Sequence, residues 1–363
     1  MRNLQVLDLS YNNFSGEIPE ELIAGCDLSQ LGVLQLKDNY FSGNMSNVRP
    51  EGRVLGSLYL LDIGYNFMTG NIGSWIDAFL NTTQLLVLNF KDNDLSGTVP
   101  DMIGSLSSLR VLLLSQNRLT GLIPEELCRL KQISMMDLSI NSFFGSIPSC
   151  FQDIGFGKIE PRYFDISHEK VSNEWDCTTY FRYETLKKGY KLHSTAEQSV
   201  THVEVDFLTK HRSSTYKGSI LNFISGLDLP CNNLSGRILN AIGNLSWIHA
   251  LNLSYNMFAG PIPKSFSNLT QIKSLDLSHN ALSGEIPSSL INLYFLEVFS
   301  VAYNNLSGKI SDTKAQLGTF DRSCYEGIRF LCGQPLNQNY STESPHPLMK
   351  SVDQRRNGMA LML

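Results

Sequence analysis

The sequence lacks nearly everything that would mark a catalyst, a membrane span or a nucleic-acid binder. It has no excess of either charge: 29 Lys and Arg stand against 34 Asp and Glu in 363 residues, a net of −5. That excludes an extended basic footprint for nucleic acid or for an anionic membrane surface. No stretch approaches 18 apolar residues, the longest near the C-terminus being Met359–Leu363, so no transmembrane helix is expected. Arg2, Asn3 and Gln5 interrupt any apolar leader. Seven cysteines are too few for a disulfide scaffold, and their odd number leaves at least one without an internal partner. None has CxxC or zinc-like spacing, and His193, His202 and His211 stand nine apart, which is no metal spacing. GxSxG, HExxH and P-loop patterns are missing, Gly155–Gly157 is too short for a phosphate loop, and no paired carboxylates suggest acid–base work. The expectation is a protein with no enzymatic activity, no cofactor and no metal. Apolar residues are not scarce: 42% hydrophobic against 17% charged is enough for a large core and excludes bulk disorder.

What is present is a repeat. LDLSYNNFSGEIP begins at Leu7, and relatives of it begin at Leu88, Leu112, Met136, Leu227, Leu251, Leu275 and Phe299. Two shorter copies, at Leu34 and Leu61, lack the Ile-Pro. Each copy carries one fixed asparagine: Asn12, Asn39, Asn66, Asn93, Asn117, Asn141, Asn232, Asn256, Asn280 and Asn304. The steps are 27, 27, 27, 24, 24, 91, 24, 24 and 24 residues. The pattern LxLxxNxLxGxIP resembles the plant-type leucine-rich repeat over residues 1–150 and 219–310. The resemblance implies an α/β solenoid, a superhelix of about ten repeats with a concave parallel β-sheet.

The spacing has a physical reading. The two apolar residues of LxL point to one face of a short strand, and the residue between them points out. The chain then turns with its backbone polar groups buried, and a buried Asn side chain in each copy satisfies them. Unpaired, such groups would cost about 1–3 kcal/mol each. Gly16 and its equivalents permit the following bend. Ile-Pro opens the convex side, where Pro needs no amide donor. No repeat buries its leucines alone, so stability comes from stacking neighbours.

The step of 91 is 24 plus an insertion of 67, taken as residues 151–218. Its composition shifts: 20 of 68 residues are charged, against 43 of 295 elsewhere. Within it Val203, Val205 and Phe207 alternate with Glu204 and Asp206, which reads as a half-buried strand. A partly folded island packed on the solenoid is expected, since a structureless loop of this length would be unusual. VDFLTKHRSSTYKGSILNFISGLDL, LCRLKQISMMDLSINSFFGSIPSCF and TFDRSCYEGIRFLCGQPL resemble the island end, the preceding repeats and the C-terminal cap of plant leucine-rich-repeat receptor-like proteins, cell-surface receptors without a kinase. The implied organisation is repeats 1–6 over 1–150 with no N-terminal cap, the island over 151–218, repeats 7–10 over 219–310, a cap over 311–336 and a disordered tail over 337–363. The same resemblance implies a parent at the plasma membrane, facing outward, whose signal peptide and membrane helix fall outside this sequence. The family's cap pairs a cysteine at Cys332 with a later one, for which this sequence has NQNYS. Cys324, eight residues before, is the expected substitute. Cys128 and Cys150, on adjacent repeats, suit either a disulfide or two small buried side chains.

The concave face is the informative surface. Its outward candidates are Gln35, Lys37, Asp38, Tyr65, Lys91, Asp92, Gln116, Arg118, Ile140, Asp276, His279 and Tyr303. Of these Tyr65, Lys91, Gln116 and Arg118 are expected to bind ligand, with Tyr216, Lys217 and Gly218 at the island junction. Asp276, His279 and Tyr303 are expected to dock a co-receptor. Glycosylation sequons occur at Asn13, Asn44, Asn81, Asn233, Asn244, Asn252, Asn268, Asn305 and Asn339. By resemblance the chain recognises an extracellular peptide or a microbial or cell-wall glycan and associates with co-receptor and adaptor receptor-like kinases, in defence or development. The alternatives are a secreted polygalacturonase-inhibitor-like protein, which the island disfavours, and a truncated copy without function.

Overall fold

A computed structural model of the chain describes residues 4–19, 22, 30–47, 56–79, 84–157, 204–209, 212–217, 224–310 and 315–336. Ten three-residue strands form one parallel sheet, stacked in chain order from Val6–Asp8 to Val298–Ser300. The pairing is in register throughout. Met136 of the sixth coil lies opposite Leu227 of the seventh, so the stack continues unbroken across the insertion. The inward residues of each LxL pair fill a single core; Leu34, Leu36, Leu61, Ile63, Leu88 and Phe90 are all fully buried.

The ten fixed asparagines form a continuous row beneath this sheet. From the second coil on, each Nδ2 donates to two carbonyls of its own coil and one of the coil before, and each Oδ1 accepts a backbone N–H from the coil before. Asn66 shows the pattern, donating to Ile63, Gly64 and Leu36 and accepting from Phe41 at 3.0 Å. The residue just before each asparagine turns the chain in the left-handed region, with φ between 50° at Ile140 and 58° at Tyr11. A β-branched side chain there is strained by about 1–3 kcal/mol, so Ile140 is held by its surroundings.

A second parallel sheet, of eleven strands, follows each turn and runs from Ser15–Glu17 to Phe330–Cys332. The glycine after each turn predicts only a bend here, and the structure shows paired strands. On the convex side the elements of the 24-residue coils are single 3-10 turns preceded by an extended Pro100, Pro124, Pro148, Pro263 or Pro287, whose carbonyl accepts the first turn's N–H. Leu239 keeps the same geometry where Pro is missing. The longer third coil has room for an α-helix, Gly73–Phe79, which buries Trp75 edge-on against Phe90. No described helix is long and apolar enough to cross a membrane.

Three expectations change. Phe151, Ile154 and Phe156 are buried in the solenoid core, so the sixth coil runs past the boundary at 150. Cys324 and Cys332 are free, and the disulfide joins Cys128 to Cys150 between adjacent coils. The reason is topological. The Cys324 carbonyl accepts the Val301 N–H at the edge of the first sheet, whereas Cys332 lies in the last strand of the second. Finally, Arg118 belongs to that second sheet and pairs with Asp94 at 2.7 Å, away from the concave row. The cap covers the last coil: Phe320 and Tyr325 pack on Phe299, and backbone N–H groups of Val301 and Tyr303 find cap carbonyls, which protects an otherwise open edge.

Candidate functional site

The concave sheet offers two outward positions per strand. The first is apolar in coils two to six: Val33, Leu60, Val87, Val111 and Met135. Such a stripe on an open face would be costly, and it is covered. Glu204–Thr209 and Arg212–Lys217 form an antiparallel hairpin from the insertion, and Val205 and Phe207 bury themselves on that stripe with Tyr216 partly buried beside them. Two such side chains contribute about 1.5–3 kcal/mol each. Gly226 begins the seventh concave strand where other coils carry a side chain. A Cβ there would meet the Phe207 ring at 2.4 Å, so the glycine is the seat of that ring.

The hairpin is also tied electrostatically. Lys37 Nζ donates to Asp206 Oδ2 at 2.5 Å, and Thr215 Oγ1 donates to Asp206 Oδ1 at 2.6 Å. Burial opposes charge on both partners. The hydrogen bonds outweigh it, holding Asp206 below the usual carboxylate range and Lys37 above the usual amine range. Lys37 also faces the rings of Tyr11 and Tyr65 at 5.4 and 5.3 Å, and Lys91 faces Tyr65 at 5.8 Å. Lys217 pairs with Glu204 across the hairpin.

The second outward position holds an acid or an amide in eight of the ten coils, with Leu113 and Ser300 in the other two. In six coils the side-chain oxygen at this position accepts the N–H two residues on: Asp8 from Ser10, Asp62 from Gly64, Asn89 from Lys91, Asp137 from Ser139, Asn252 from Ser254 and Asp276 from Ser278. Burial raises Asp62 to about 6 in spite of this bond. Asp228 is the exception, because residue 230 is proline and has no N–H. Both its oxygens are buried without a partner. Burial and the neighbouring Asp137 push its carboxyl well above the ordinary value.

Toward the last coils the residues before the ladder asparagines stack. The His279 ring lies between Tyr255 and Tyr303, with centroids 3.9 and 4.3 Å away. Burial lowers the His279 pKa.

The structure therefore gathers Tyr65, Lys91 and Gln116 on the concave side and leaves Arg118 apart from them. His279 and Tyr303 share one ring stack, while Asp276 is buried beneath the neighbouring row. Tyr216 and Lys217 lie in the hairpin's second strand, and Gly218 is outside the described residues. Among the sequons Asn13, Asn44, Asn233, Asn244, Asn268 and Asn305 are exposed. Asn252 sits half-buried on a concave strand with Oδ1 engaged by Ser254, and Asn81 and Asn339 are outside the described residues. Sequence reasoning missed Asp228 and Gly226, although LDLPCNN against LDLSYNN carried the signal in its proline. Among the described residues no group of three or more His, Cys, Asp or Glu could hold a metal ion.

The family model described as leucine rich repeat matches residues 83–143, and a second of that description matches 3–24, 248–269 and 271–293. Cuscuta receptor 1 of Solanum lycopersicum is 74% identical over 134 residues, 37% of this chain and 12% of that protein. Receptor-like protein 1 of Arabidopsis thaliana is 56% identical over 41 residues, 11% of this chain and 4% of that protein. Among solved structures, the plant peptide hormone receptor RGFR1 in complex with RGF2 superposes with a TM-score of 0.62 at 27% identity, covering 85% of this chain and 37% of that one. The chain thus spans a minor part of each of these three relatives. It folds as a leucine-rich-repeat solenoid, and the proteins it is similar to in sequence and in structure are plant receptors.

Proposed function

We propose that the chain is the ligand-recognition part of a plant receptor-like protein, and that it acts outside the cell by binding, without chemistry of its own. The observation that carries this reading is the hairpin seated on the concave sheet through Val205, Phe207 and the Lys37–Asp206 pair. It narrows an open sheet to a groove with polar and aromatic rows on the side of the later coils. An extended peptide suits that groove, since it can lie across successive strands and turn alternate side chains toward them. A cell-wall glycan fits the aromatic row as a second ligand class. The Tyr255–His279–Tyr303 stack and the exposed edge of Tyr303 are the surface for a co-receptor kinase ectodomain, so signalling would follow ligand-stabilised association. Exposed sequons at Asn13, Asn44, Asn233, Asn244, Asn268 and Asn305 would carry glycans in that compartment.

The test is binding of the purified, glycosylated chain to a panel of secreted plant peptides and microbial wall fragments, with and without a co-receptor ectodomain. The reading expects at least one ligand whose binding is lost in Tyr65→Ala or Tyr255→Ala and whose presence tightens co-receptor association. Binding unaffected by either substitution would place recognition elsewhere.

A further inference from the structure

We propose that Asp228, with Asp137 beside it, forms the subsite that accepts a cationic side chain of the ligand, an arginine guanidinium or a lysine ammonium. The proposal rests on the ligand-binding reading above and assigns the chemistry of one position in it.

The argument begins with a deletion. In six other coils the outward Asp or Asn is satisfied by the N–H two residues ahead. In the seventh coil Pro230 removes that donor while the aspartate is kept. Asp228 is 1% exposed and neither carboxylate oxygen has a hydrogen-bond partner. A buried carboxyl left without donors is costly, and a partner arriving from outside recovers that cost. Asp137 stands opposite Asp228 in the adjacent strand, about 4.8 Å away by sheet geometry, so two carboxyls face one spot. Asn252, the register partner on the other side, is near enough for its side chain to favour the ionised form. Asp276 follows in the next coil.

The compensating charge is insufficient. Lys91 is the base that acts on both carboxyls, and it pairs with neither, being turned toward Tyr65. Lys37 is spent on Asp206. Across the turn from the acids lies the row Cys231, Tyr255, His279 and Tyr303, and the two tyrosine rings provide π-density of the kind that attracts guanidinium and ammonium groups. Acids on one side and aromatic rings on the other are the chemistry of a cation site, and an arginine fork adds the donors that Pro230 took away.

The site is closed in the free chain and has a way to open. Phe207 lies over Gly226, two residues before Asp228 on the same strand face. The hairpin bonds its backbone to itself and joins neither parallel sheet, so a ligand entering there displaces the packing of Val205 and Phe207 and the Lys37–Asp206 pair and leaves every solenoid strand pair intact. With the site closed, burial and the neighbouring Asp137 disfavour the charged form of Asp228. A bound cation favours it.

The probe is a nonapeptide of three Gly-Gly-Arg units, compared with its citrulline counterpart by titration calorimetry near neutral pH. The wild-type chain should bind the arginine peptide about tenfold more tightly, the increment expected for one charge-assisted pair. Asp228→Asn should reduce the preference to about threefold or less. Pro230→Ser, which restores the missing donor, should weaken the preference without removing the carboxylate. Glu125→Gln, on the convex side, should leave the preference unchanged. Equal binding of the two peptides, binding of neither, or a preference that survives Asp228→Asn would overturn the subsite. If a panel ligand binds the concave face while the arginine preference is missing, the receptor reading stands and the subsite alone falls.

Discussion

The backbone N–H of Phe143 donates to Oδ1 of Asn232 at 3.0 Å, although 89 residues separate them in sequence. The same asparagine gives its Nδ2 to Leu138 in the coil before and to Leu229 and Pro230 in its own. The insertion therefore leaves from and returns to one unbroken solenoid, and Asn232 is the clasp.

Asn232→Ala should be far more costly than the same change at the first rung. It strips one backbone N–H and several carbonyls of partners in a buried setting, where each unpaired group costs about 1–3 kcal/mol. A loss of about 3 kcal/mol or more is expected in urea unfolding. Asn12 is exposed and bonds only Leu9 and Ser10 of its own coil, so Asn12→Ala should cost less than about 1 kcal/mol. Equal costs at the two sites would mean that the junction is not part of the ladder.

Asp62 gives a pH signature. Burial raises its carboxyl from 3.8 to about 6. Because the folded value is the higher one, its contribution is complete below about pH 4 and is lost as pH rises through about 6. Asp62→Asn should remove that part of the decline and stabilise the protein at pH 7 by about 2–3 kcal/mol relative to its effect at pH 4. Thermal melts across this range make the comparison, and an unchanged pH profile in the variant would show that Asp62 is solvated.

The Cys128–Cys150 bond closes a loop of 22 residues between neighbouring coils. Its removal in Cys150→Ser should cost about 3 kcal/mol by chain entropy. Peptide mapping without reduction should recover this crosslink and find Cys231, Cys324 and Cys332 open to alkylation after unfolding. A Cys324–Cys332 crosslink would contradict the assignment.

The repeat's interior was legible in the sequence because it is local. The leucine pair, the asparagine and the glycine are set by one coil and repeated ten times, and the asparagines lie in the row their spacing implied. The strand at Val205–Phe207 was legible too, from alternation alone. Its seat was not. Lys37 and Asp206 are 169 residues apart, and nothing in either segment names the other. Arg118 was misjudged because it stands one residue past the ladder asparagine, where the chain has already turned into the second sheet. The orphaned Asp228 required knowing what the N–H of residue 230 does in the other coils. A proline among serines becomes meaningful once that hydrogen bond is seen.

The seating of the hairpin on the concave sheet is tested most directly by hydrogen exchange in wild type and Gly226→Leu. In the wild type, amides of Glu204–Thr209 and Arg212–Lys217 should exchange slowly. The substitution forces a side chain into the Phe207 ring, so those amides should become fast while Val111–Leu113 and Ala250–Asn252 stay slow. Fast hairpin exchange in the wild type, or a hairpin indifferent to the substitution, would contradict the docked arrangement and the groove it defines.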